Sequence, residues 1–64
     1  MKVLILGSGG REHTLAWKLS QSPSQPELFI GPGNAGTSQL GTNVDLAVGD
    51  FPQIGKFVLE NKID

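Results

Sequence analysis

The sequence predicts an α/β fold, a parallel sheet of about three strands with two helices in the order strand, helix, strand, strand, helix (βαββα). Two observations carry this. Val3-Leu4-Ile5-Leu6 is a continuous rather than alternating apolar run, the pattern of a strand covered on both faces. It leads through glycines into Arg11 to Gln21, a stretch free of Pro and Gly, and a second apolar run, Leu28-Phe29-Ile30, follows soon after. Two short strands joined through a helix form a βαβ unit, with parallel strands and a right-handed crossover.

Each element has its own signal. Leu15 and Leu19, with Ala16 beside them, form a narrow apolar stripe at helical spacing, and this spacing turns Trp17 outward. Ser22-Pro23-Ser24-Gln25-Pro26 ends that helix, because each proline disfavours helical backbone in the residue before it. The second strand is read as Glu27-Leu28-Phe29-Ile30. Gly31 to Asn43 holds four glycines and almost no large apolar residue, so it is chiefly loop, with one helical turn near Gln39. Val44, Leu46 and Val48 alternate and suggest a third strand over Val44 to Val48. Asp50 is an N-cap, Gln53 stands three positions on to reach back to its amide, and Pro52 sits harmlessly in the first turn. Phe51, Ile54, Phe57 and Val58 give the second helix a face to bury, as far as about Asn61.

At 64 residues the chain holds one small domain at most, and a domain this size buries only about 60% of the surface its unfolded chain exposes. It has no cysteine, hence no disulfide staple and no thiolate metal site. Net charge is −1, with five basic residues scattered among six acidic ones, so no nucleic-acid footprint is expected. The apolar runs are too short to cross a membrane or serve as a signal-peptide core, and the expected location is cytoplasmic. The last residues, Asn61-Lys62-Ile63-Asp64, fall where a βαβ rhythm asks for another strand. The expected fold is therefore an incomplete sheet, finished by further polypeptide or by a second copy through dimerisation or strand exchange.

Gly7, Gly9 and Gly10 open the first helix, where free amides and the helix dipole favour an anion. Neither common nucleotide fingerprint is met. The dinucleotide pattern wants glycine at position 12, which is Glu12, and an acid after the second strand, where Gly31-Pro32-Gly33 stands. No G-K-[ST] follows the glycines either. A single phosphorylated sugar or nucleotide suits this loop better than NAD, while the plainer reading is a tight turn that uses glycine for geometry alone. Arg11 is a cation at the positive end of a helix, which points to an anionic partner. Glu12 suits that end structurally, and His13, the one histidine, makes a poor metal ligand on its own. A second glycine-rich loop, Gly31 to Thr37, falls at the same edge of the sheet, where ligands of such folds bind.

The two loop motifs, GSGGREH and PGNAGT, lie in this order within "MKVLILGSGGREHTLAWKLSQS" and "GPGNAGTSQLGTNVD". The sequence so resembles the amino terminus of the phosphoribosylamine–glycine ligase family along nearly its whole length. Thr14 departs from the alanine more usual there, and the Thr37 to Asn43 connection looks short. The resemblance implies an incomplete Rossmann-like domain, residues 1–64 being its first part, ahead of an ATP-grasp region that would carry ATP and magnesium. It implies a ligase of purine biosynthesis that joins glycine to 5-phosphoribosylamine while ATP becomes ADP and phosphate. Ser8, Gly9, Gly10 and Arg11 are the implied contacts for the phosphoribosyl group, with Gly33, Asn34 and Gly36 lining the same pocket. No catalytic or metal-binding residue is expected within these residues, and the chain alone is expected to be inactive. Two other classes stay open, a dinucleotide-binding domain of a dehydrogenase and a small self-associating domain without enzymatic activity.

Overall fold

The computed structural model describes residues 1–64. The order of elements is β1 (Lys2–Gly7), α1 (Gly10–Ser20), β2 (Glu27–Pro32), a single 3-10 turn (Thr37–Gln39), β3 (Thr42–Asn43) and α2 (Phe51–Glu60). The three strands form one parallel sheet in the order β1-β2-β3. Lys2 lies opposite Glu27 and Gly7 opposite Pro32, so both long strands end at the same edge. That register brings the two glycine-rich loops together.

The core is small. Ile5 and Ala16 pack with Leu28 and Ile30, and Val3, Leu19 and Leu40 close around them. Burial of each large aliphatic side chain contributes about 1.5–3 kcal/mol, so a core this thin leaves the loop hydrogen bonds with a large share of the order. The sheet-facing line of α1 is shifted from the expected stripe. Ala16 is completely buried while Leu15 is half exposed, and Trp17 points outward as its spacing requires. Small Ala16 lets the helix approach the sheet closely, and the same line carries Glu12 and Leu19, both partly buried.

The third strand differs from the expected Val44 to Val48. Pairing with β2 covers Thr42 and Asn43 and continues through one bond, Val44 N–H to the Ile30 carbonyl at 2.8 Å. The chain then bends, with the Leu46 amide donating to the Val44 carbonyl at 2.9 Å. The alternation over Val44, Leu46 and Val48 came from packing rather than pairing: Leu46 is buried against Gly31, on the sheet face opposite Leu28 and Ile30, whereas Val48 is half exposed. Helix α2 buries less than its pattern asked. None of its residues is fully buried and Phe51 is exposed. Phe57 anchors it, its ring meeting Phe29 edge-on with centroids 5.5 Å apart. Asp50 caps it by accepting from the Gln53 amide at 3.4 Å.

The last residue returns to β1. The Asp64 amide donates to the Lys2 carbonyl at 2.9 Å, and the Lys2 amide donates to Asp64 Oδ2 at 2.7 Å. Met1 uses its carbonyl to accept from Glu27 on β2, and neighbouring residues of a strand present their polar groups to opposite edges. Asp64 therefore lies on the edge of β1 turned away from β2. No helix is long and apolar enough to cross a membrane.

Candidate functional site

The first loop is shaped by Glu12. Strand β1 ends at Gly7 with φ +139°, and a Cβ there would run into the Glu12 side chain. That side chain bends back over the turn so that Oε2 accepts from the Gly9 amide at 3.0 Å. A carboxylate suits the positive end of a helix. The first intrahelical bond runs from the His13 amide to the Gly9 carbonyl at 3.1 Å. The amides of Gly10, Arg11 and Glu12 precede it and have no acceptor within the helix. Ser8, Gly9, Gly10 and Arg11 are all exposed, and apart from its chain neighbours and the backbone of its own helix no atom lies within 4 Å of where a Gly10 Cβ would stand. The backbone at Gly10 is open to a ligand.

The second loop lies against the first. The Gly33 amide donates to the Gly7 carbonyl at 2.9 Å, and Asn34 Nδ2 donates to the Ser8 carbonyl at 2.6 Å. Gly33 has φ +75°, and a Cβ there would collide with Asn43 Oδ1 and come within 2.7 Å of Thr37 Oγ1. Thr37 is completely buried. Its hydroxyl accepts from the Asn34 amide at 2.8 Å and donates to Asn43 Oδ1 at 2.7 Å. Asn43 Nδ2 closes the ring on the Asn34 carbonyl at 2.8 Å. The Asn34 side chain also accepts, through Oδ1, from the Thr37 amide at 2.9 Å. Gly36 faces His13, whose ring carbon Cε1 would be 3.0 Å from a Cβ at that position.

All seven residues nominated from the sequence thus stand on the two loops or, as Gly10 and Arg11 do, on the first turn of α1, at one edge of the sheet where hydrogen bonds join the loops. Their roles divide. Gly9 has its amide engaged by Glu12, and both polar atoms of the Asn34 side chain are engaged by protein. Thr37 and Asn43 went unrecognised in the sequence, although Asn-x-x-Thr is a known way for side chains to fold a turn on themselves. Asn43 gave a fainter signal, a polar residue where a buried strand was beginning. The cleft of about 250 Å³ lies elsewhere, between α2 and the segment after β3, lined by Leu46, Lys56 and Phe57 among others. None of the seven borders it. The loops form an open floor of backbone rather than a walled cavity. No three His, Cys, Asp or Glu side chains come together to hold a metal ion.

The model of the phosphoribosylglycinamide synthetase N domain matches residues 1–64. The chain belongs to that family. Within the phosphoribosylglycinamide synthetase N-domain family it is 52% identical over 61 residues to the phosphoribosylamine–glycine ligase of Rhodopirellula baltica. That match takes in 95% of this chain and 14% of the relative. The Escherichia coli K12 enzyme of the same name is 50% identical over 66 residues, covering all of this chain and 15% of the relative. The Caldanaerobacter subterraneus enzyme is 47% identical over 64 residues, with the same coverage. The chain spans about 15% of the length of the curated relatives it matches.

Proposed function

We propose that the paired glycine loops bind the phosphoribosyl group of 5-phosphoribosylamine, within a cytoplasmic ligase that couples this amine to glycine. In the whole protein, ATP would convert the glycine carboxylate to an acyl phosphate, and attack by the amine would form the carbon–nitrogen bond with release of phosphate. These 64 residues supply substrate binding; ATP and magnesium are assigned to the ATP-grasp region of the whole ligase, and no chemical step is routed through this segment. The isolated chain is accordingly inactive on this reading.

One observation supports the assignment above the rest: two loops bearing the family's motifs are tied side by side at the carboxyl edge of a parallel sheet. Ligands of open α/β sheets collect at that edge. The first-turn amides of Gly10 and Arg11 are suited to a phosphate, with the Arg11 guanidinium able to close on it bidentately. Gly9, with no side chain, lets the Glu12 carboxylate fold onto the turn, its oxygen 3.2 Å from where a Cβ would stand, while Gly33, Asn34 and Gly36 shape the adjoining wall. A dinucleotide is disfavoured, because Glu12 occupies the third glycine position and folds back on Gly9, and Pro32 and Gly33 stand where a ribose-binding acid would be.

The test is Gly9→Val in the full-length ligase. The expected result is a raised KM for phosphoribosylamine with the KM for ATP nearly unchanged, the mark of lost binding at one substrate alone. Equal effects on both substrates would make the loop scaffold and end the assignment.

A further inference from the structure

The peptide unit between Ser8 and Gly9 is held at both ends. Its carbonyl accepts from Asn34 Nδ2 at 2.6 Å, and its N–H donates to Glu12 Oε2 at 3.0 Å. A peptide unit is planar, so restraining its oxygen and its hydrogen fixes its rotation about the chain. The next amides along the backbone are those of Gly10 and Arg11; Gly9 passes from the held peptide to them with φ −92° and ψ −175°, and the His13 N–H on the Gly9 carbonyl at 3.1 Å holds the peptide that follows. Asn34 of the second loop and Glu12 of the first turn of α1 therefore start the candidate anion-binding amides from a fixed plane.

The Asn34 amide is itself oriented. Oδ1 accepts from the Thr37 N–H at 2.9 Å, which leaves Nδ2 turned towards Ser8. Behind it stands the ring in which Thr37 Oγ1 accepts from the Asn34 N–H, donates to Asn43 Oδ1, and Asn43 Nδ2 donates to the Asn34 carbonyl. The Thr37 hydroxyl has one proton and two acceptors within reach, Asn43 Oδ1 at 2.7 Å and the Asn34 carbonyl at 3.0 Å. The latter is already served by Asn43, so the proton goes to Asn43. Thr37 is the one buried polar residue in the chain, and burial of a hydroxyl is tolerated because all of it is engaged.

We infer that Thr37 and Asn43 are positioning residues for phosphoribosyl binding, acting through Asn34 on the Ser8–Gly9 peptide, and that Asn34 is a clamp rather than a ligand. The inference rests on the proposed function. It assigns a role to two residues that sit outside the glycine motifs' exposed surface and touch no ligand themselves.

Thr37→Val and Asn43→Ala in the full-length ligase test it, since both are neutral changes that leave the charge at the loop as it was. Each is expected to raise the KM for phosphoribosylamine by about tenfold, the scale of one to two hydrogen bonds lost at a positioning group. The KM for ATP and kcat should stay within about twofold, and Thr37→Ser, which restores the hydroxyl, should return the KM to within about threefold of the parent. A merely structural role would move the melting temperature without this split between substrates. Unchanged KM in folded Thr37→Val enzyme, or equal changes for both substrates, overturns the clamp. Should Thr37→Val fail to fold, Asn43→Ala decides by the same criteria. The two levels fail separately: if Gly9→Val raises the phosphoribosylamine KM and the ring variants do not, the clamp falls and the site stands, whereas no response from any of them removes both.

Discussion

Gly7→Ala probes the turn on which the first loop depends. Gly7 has φ +139°, and an added Cβ would press into Cγ, Cδ and Oε1 of Glu12. Holding a residue with a side chain in such backbone costs about 1–3 kcal/mol. Driving Glu12 off the Gly9 amide, 3.0 Å away, removes a helix-start bond that is typically worth about 0.5–2 kcal/mol. Against these stands a gain of about 0.4–1 kcal/mol, because alanine restricts the unfolded chain. The net expectation is a loss of about 0.5–4.6 kcal/mol. For a chain of 64 residues with about 0.05–0.15 kcal/mol of stability per residue, that is a large fraction of the whole.

The assay is urea denaturation followed by far-ultraviolet circular dichroism, run as a double-mutant cycle with Glu12→Ala. Once the Glu12 side chain is gone, only the backbone strain should remain, so Gly7→Ala should cost about 0.5–2 kcal/mol less in that background. An identical cost in both backgrounds would show that Glu12 does not fill the space above Gly7. A cost below about 0.5 kcal/mol in the parent would refute the strain as well.

Two further glycines separate geometry from mere composition. At Gly41 a Cβ would fall 2.6 Å from the Leu28 backbone carbonyl and 3.0 Å from Ile30 Cδ1, so Gly41→Ala should destabilise by about 1–3 kcal/mol in the same denaturation assay. At Gly55, inside α2, nothing lies within 4 Å of the corresponding position, and Gly55→Ala should stabilise by about 0.5–1 kcal/mol through helix propensity.

Much of the architecture was legible because the decisive signals are local. An unbroken apolar run, glycines before a helix, prolines after it and an N-cap ahead of Pro52 each act within a few residues, and β1, α1, β2 and α2 follow them closely. The third strand was misjudged because alternation reports which side chains are buried, and Leu46 is buried from a bend rather than from a ladder. Leu15 and Phe51 were assigned to buried faces for the same reason: a periodic stripe gives a direction around the helix axis, whereas the neighbour's shape decides how much of the stripe is covered. Here Ala16 takes the contact and Phe51 is left exposed.

The seven residues of the candidate site could be named from two short motifs, since glycine where backbone must approach a ligand is a one-residue requirement. Their division of labour could not. That Asn34 turns its Nδ2 onto Ser8 depends on the register that sets Gly7 opposite Pro32, whereas its bond to Thr37 and that of Gly9 to Glu12 each span three residues. The ring joining Asn34, Thr37 and Asn43 closes only when β3 lies beside β2. By itself the sequence determined where the chain can turn and which segments must be covered. Tertiary structure decided which amides remain open to an anion, because a hydrogen bond between loops requires both partners to be brought within about 3 Å of each other, and no local pattern specifies that distance.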